Sequence, residues 1–148
     1  MCYMTVLSTT SDADLTVHNS ELVQFSRSLP GIDEEKYLEY PFKWYLRSKA
    51  GCSCEFRHLY IDSVSLGFGE PQEWFPEEPD QIAATGHIAS VIRSMVASGA
   101  RVDCVDAWAH GQEMADPLAG QVEVDLSEIS DTQFRFFERY RLNFVART

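Results

Sequence analysis

Three stretches of this chain carry residue types capable of chemistry. The first is "KWYLRSKAGCSCEFRHLY", Lys43 to Tyr60, where Cys52 and Cys54 are separated by one residue and His58 follows. Thiolates and imidazoles bind soft or borderline metals, so this run is a candidate ligand set for zinc. If residues 52–60 form a strand, Cys52, Cys54, Phe56 and His58 share one face, because side chains alternate with period two. Cys104, His87 or His110 would then have to supply a fourth ligand from elsewhere. Paired zinc cysteines are normally spaced by two to four residues, which Cys-x-Cys is not, and small buried thiols are the competing reading. A Cys52–Cys54 disulfide is disfavoured, since a bridge across one residue is strained.

The same stretch holds Lys43, Arg47, Lys49 and Arg57 against the single acid Glu55. Lys43, Tyr45 and Arg47 share a strand face, and with Arg57 they form a candidate anion-binding strip for a carboxylate, a phosphate or an acidic protein surface. Solvated charges that blunt a sheet edge are the alternative. The spacing predicts strands over 43–49 and 52–60, joined as a hairpin. A two-residue loop, Ala50-Gly51, would place the cysteines among the cations, where thiols become reactive. A three-residue loop, Lys49-Ala50-Gly51, pairs Leu46 with Cys54 and turns the thiols to the core. Glycine at the loop's end favours the second register.

The second stretch, "GEPQEWFPEEPD", contains Glu70, Glu73, Glu77, Glu78 and Asp80 and no base. Trp74 and Phe75 sit between prolines. A stiffened loop with two large aromatics is a candidate partner-binding site, formed by Trp74, Phe75, Glu77 and Glu78. The alternative is that the aromatics plug the domain's own core. The acids do not follow the alternating spacing of a calcium loop.

The third place is "VDCVDAWAH", in which Asp103 and Asp106 interrupt an apolar run. Asp106, beside Cys104 and Trp108, is a candidate desolvated carboxylate, although satisfying a backbone or arginine partner is the commoner role. No catalytic motif is present: there is no Gly-x-Ser-x-Gly, no His-Glu-x-x-His, no phosphate-binding glycine loop and no dinucleotide fingerprint. Whether the chain is an enzyme is left open by its sequence.

The elements that must position these residues follow from periodicity. Residues 3–9 and "RVDCVDAWA" read as strands. "QVEVDLS" alternates Val122, Val124 and Leu126 with Glu123, Asp125 and Ser127, and "LNFVA" closes the chain as another strand. Residues 21–27 fit a strand or a short helix. "PGIDEEKYLEYP" suggests a short helix capped at Asp33 and ended by Pro41. Residues 80–98 form the one long helix by 3.6-residue spacing, with Gly99 placed to end it. Ser130 followed by Gln133 has the form of a capping box and predicts a further short helix. The sum is a single α+β domain, residues 1–148, with a largely antiparallel sheet.

The opposite side of the long helix carries Ala83, His87, Ser90, Ser94, Ala97 and Ser98, with Arg93 its sole basic charge. So small and uncharged a face predicts a cover, from the same domain or from a second copy in a homodimer. His87 there fits a hydrogen-bonded structural histidine better than a base.

Composition limits the partners. With 12 basic and 23 acidic residues the chain carries a net charge of −11. That disfavours nucleic acid and anionic membrane, and fits a protein partner with a basic surface. Small acidic proteins that neutralise basic toxins share this composition, as do unrelated domains. The start of the chain lacks a secretory signal, and four scattered cysteines suit a reducing compartment, so the expected location is cytoplasmic. The leading expectation is a non-enzymatic domain that docks or neutralises a protein partner. The alternative is a small-molecule or metal-binding domain using Cys52, Cys54 and His58 or the basic strip.

Overall fold

The structure is a computed structural model and describes residues 2–109 and 118–147. Eight strands are present among these residues: β1 (Cys2–Thr9), β2 (Val23–Ser26), β3 (Phe42–Ser48), β4 (His58–Leu59), β5 (Val102–Ala109), β6 (Gly120–Asp125), β7 (Phe136–Phe137) and β8 (Tyr140–Val145). The helix α1 spans Pro79–Ala97, and short 3-10 turns lie at Leu15–His18, Asp33–Tyr37 and Ile61–Leu66. Six strands form one sheet in the order β2-β3-β1-β5-β8-β6, and β4 and β7 form a separate parallel pair. Within the large sheet only β6 and β8 run parallel. The arrangement is α+β and mostly antiparallel, as the sequence pattern implies.

The sheet is covered on both sides. On one side Ile88, Ile92 and Met95 of α1 pack with Leu7, Trp44, Leu46, Cys104, Leu142 and Phe144. On the other, Val6, Tyr45 and Val105 pack beneath Leu38 and Tyr37. This explains why β1 and β5 are buried along nearly their whole length and read as apolar runs rather than alternating ones. Proline opens α1 in its first turn, where the absent N–H is not missed, and the Glu78 backbone N–H donates to the Gln81 side chain at 2.9 Å. The helix ends where expected: Gly99 has a φ of +98°, a left-handed conformation natural to glycine.

Two predicted elements do not form. Residues 52–56 are turn and bend rather than the second arm of a hairpin, and β4 pairs with β7 instead of with β3. The chain leaves β3 through a tight turn at Gly51, whose φ is +88°. Ser48 N–H donates to the Cys52 carbonyl at 2.6 Å, and Gly51 N–H to the Ser48 carbonyl at 2.9 Å. Ser53 then turns towards β1, donating its N–H to the Tyr3 carbonyl at 3.0 Å and accepting the Thr5 N–H on Oγ at 2.9 Å. The second correction is at 130–140. The Ser130 N–H does meet the Gln133 side chain, at 2.9 Å, but residues 131–133 form only a turn and no helix follows. Phe134, Phe136 and Phe137 are all buried, and extended backbone delivers them to the core.

Candidate functional site

The peeling of residues 52–54 onto β1 creates the densest group of reactive side chains in the described residues. Cys52 and Cys54 lie on the turn, and Cys2 opens β1. The three thiol sulfurs all lie within 4.8 Å of one another, and each cysteine is partly exposed. Tyr3 N–H donates to Cys54 Sγ at 3.3 Å. Arg47 Nε donates to the Gly51 carbonyl at 2.9 Å, placing a guanidinium at the turn next to Cys52. Burial pushes the Cys54 thiol up to about 12, with the adjacent Cys52 thiol adding to the shift. Burial also acts to raise Cys52, but hydrogen bonds with Cys54 and Cys2 outweigh it and hold that thiol below its ordinary value. The trio thus consists of unequal thiols that share hydrogen bonds.

His58 is not part of this trio, contrary to the expected Cys52/Cys54/His58 set. Its Nδ1 is 2.6 Å from Asp106 Oδ2 and its Nε2 is 2.5 Å from the Ser53 carbonyl, so neither ring nitrogen is left for a metal. Both nitrogens are thus engaged by oxygen atoms of the protein itself. Tyr3 stacks on the imidazole with ring centroids 4.0 Å apart and planes 3° from parallel. Asp106 also accepts from Thr5 Oγ1 at 2.7 Å. With side-chain exposures of 4% for His58 and 2% for Asp106, the pair is sealed, which suits a structural role rather than proton exchange with a substrate. Of the other proposed fourth ligands, Cys104 is fully buried and His87 Nε2 lies 2.7 Å from the His18 carbonyl. His110 lies outside the described residues.

The basic strip does not assemble. Lys43 and Arg47 stay on β3, but Tyr45 between them is buried and Arg57 is elsewhere. Arg57 is 1% exposed and grips Glu77 with both ends of its guanidinium, Nε to Oε2 at 2.8 Å and Nη2 to Oε1 at 2.9 Å. Its remaining donors go to the carbonyls of Gly69, Thr132 and Phe134. Arg135 donates to the same Glu77 Oε1 at 2.9 Å and to the Gly67 carbonyl at 3.1 Å. Burial acts to raise the Glu77 carboxyl, but the two arginines prevail and hold it below the ordinary carboxylate range.

This knot fixes the acidic loop. Glu77 is its anchor rather than an exposed contact residue, and Phe75 is half-buried beneath the Arg135 guanidinium at 5.5 Å from the ring centroid. Phe75 N–H closes a turn on the Gln72 carbonyl at 3.1 Å. Trp74, at the apex, is 67% exposed, although such a large aromatic normally finds cover. Glu70, Glu73, Glu78 and Asp80 are exposed along the same loop. Tyr60 and Leu66, also exposed, precede it in the same run of chain.

Sequence reasoning missed Cys2, Arg135 and Tyr3. Each is brought in by strand pairing from far along the chain, and no local spacing marks any of them. On the helix, Ala83, Ser90, Ser94 and Ala97 are exposed, whereas His87 is covered by the turn at Leu15–His18. No described helix is long and apolar enough to cross a membrane. Comparison with known proteins finds no matching protein family, no matching curated protein and no matching solved structure.

Proposed function

We propose that this chain is a non-catalytic interaction domain that docks a basic protein partner on the loop around Trp74. The observation that carries the reading is a largely exposed tryptophan on a loop pinned from beneath by a buried Arg57–Glu77–Arg135 knot. A loop ordered before binding loses little conformational entropy on contact, which is what a docking anchor requires. Tryptophan is among the residue types that dominate binding energy at interfaces. The acids flanking it, Glu70, Glu73 and Glu78, and the net charge of −11 select a partner of opposite sign and speed its approach. The absence of catalytic motifs and the sealing of His58 and Asp106 favour binding over turnover.

The test places a photo-cross-linking amino acid at position 72, beside the intact Trp74, and identifies what it captures in a lysate of the source cells. The captured protein is then purified and its affinity measured directly. A partner rich in Lys and Arg, whose affinity falls at least tenfold for Trp74→Ala and falls again on raising the salt, supports the reading. A partner whose affinity ignores Trp74→Ala overturns it. Light scattering on the free chain reads the homodimer expectation in the same experiment, since the exposed face of Ala83, Ser90, Ser94 and Ala97 offers a second copy a close approach.

A further inference from the structure

We infer that Cys2, Cys52 and Cys54 form a binding site for one thiophilic closed-shell metal ion, Cu(I) or Zn(II), independent of the docking loop. The geometry is the first ground. Three sulfurs mutually within 4.8 Å leave a point no more than about 2.8 Å from each of them, against a Zn–S distance of roughly 2.3 Å. A contraction of about half an ångström completes the shell. The three cysteines are each partly exposed, so rotation of their side chains can make that adjustment without moving the sheet.

The surroundings are the second ground. Tyr3 N–H already points at Cys54 Sγ, and donors of this kind orient thiolate ligands and stabilise their charge. Arg47 adds a cation at the turn that carries Cys52. The cluster joins two segments about 50 residues apart, so an ion would tie the 52–54 turn to the end of β1 (the place where β1 loses β3 as a partner). Ligand type is the third. An all-sulfur donor set selects soft or borderline ions over calcium, magnesium or manganese. Three ligands with no His, Asp or Glu joining them among the described residues suit trigonal Cu(I), or Zn(II) completed by a water.

The two ions are separated by titrating the reduced full-length chain without oxygen. Cu(I) is added against a colorimetric chelator, and Co(II), as a spectroscopic stand-in for Zn(II), is followed by its sulfur-to-metal charge-transfer band and then displaced by Zn(II). The expected result is about one ion per chain, with a charge-transfer intensity appropriate to three thiolates. The bound ion should protect Cys2, Cys52 and Cys54 from alkylation in the wild-type chain, as mapped by mass spectrometry. This readout needs no variant to fold. The Cys2→Ser/Cys52→Ser/Cys54→Ser chain should bind at least a hundredfold more weakly. Four-coordinate Co(II) spectra with Zn(II) displacement assign zinc, and uptake of Cu(I) alone assigns copper. Failure of both ions to bind at micromolar concentration, or unchanged uptake by the triple variant, overturns the inference.

Discussion

Two of this domain's polar clusters, the buried arginine knot and the partly exposed thiol trio, differ in how completely the protein satisfies them. In the arginine knot, Glu77 receives charge-assisted hydrogen bonds from both Arg57 and Arg135, and the donors of Arg57 are used up on Glu77 and on carbonyls. In the thiol trio, the sulfurs have mainly one another and a few backbone N–H groups. The first cluster is nearly closed, with Arg135 Nε its one buried donor left without a partner among the described residues, and its role is structural. The second keeps ligand capacity in reserve. Chemically conspicuous residues are therefore a poor guide until their partners are counted: Arg57 and His58, both prominent in the sequence, spend their hydrogen bonds inside the fold.

If the knot is structural, breaking it should give the largest effect in the molecule. Glu77→Ala leaves two buried guanidinium groups without their counter-charge, and removal of one partner from a buried pair costs about 3–5 kcal/mol. Thermal or urea unfolding should show a loss of that order, and a loss below about 1 kcal/mol would erase the contrast with the thiols. The same carboxylate sets a pH dependence. Its folded value lies below the ordinary 4.5, so its contribution is complete above that pH and is lost as pH falls through the folded value. Urea midpoints taken from pH 6 down to pH 3 should fall more steeply for the wild type than for Glu77→Gln.

A somewhat smaller loss is expected at the second buried pair. Asp106→Ala deprives His58 and Thr5 of their shared acceptor and should cost about 2–3 kcal/mol. The thiol trio should behave differently. Because Cys54 is pushed up to about 12, it is protonated at neutral pH and must release its proton on binding a metal. Metal affinity should therefore rise at least tenfold per pH unit between about pH 6 and 8, measured by the same chelator competition. A flat profile would mean that Cys54 is not a ligand. Gly51→Ala sharpens this, since a side chain at φ +88° strains the turn by roughly 1 kcal/mol and should weaken the metal site along with stability. The smallest effect on folding belongs to Trp74→Ala, within about 0.5 kcal/mol, because little of that ring is buried.

The elements governed by local periodicity were legible in the sequence. β1, β5, β6, β8 and α1 fall where alternation, apolar runs and caps place them. The two segments that departed from expectation are both dominated by distant partners. Ser53 donates its N–H to Tyr3 and accepts that of Thr5, and the Phe134–Phe137 run is held by β4 and the core. A capping box and an alternating pattern were present in these places, but each was overruled by contacts that local spacing does not encode. The site was legible in part for the same reason. Cys52, Cys54 and Trp74 stand out by type and neighbourhood, whereas Cys2 becomes a neighbour of the first two only because the chain leaves β3 to meet β1.

The central claim is that a buried knot presents Trp74 to a basic partner, and one measurement addresses it most directly: the affinity of the purified, cross-linked partner for the wild type and for Trp74→Ala, at low and high salt. The account predicts at least a tenfold loss from the substitution, with an unfolding midpoint that stays put, and a further loss as salt screens the acids around the loop. Equal affinity for the two chains at both salt concentrations would contradict it.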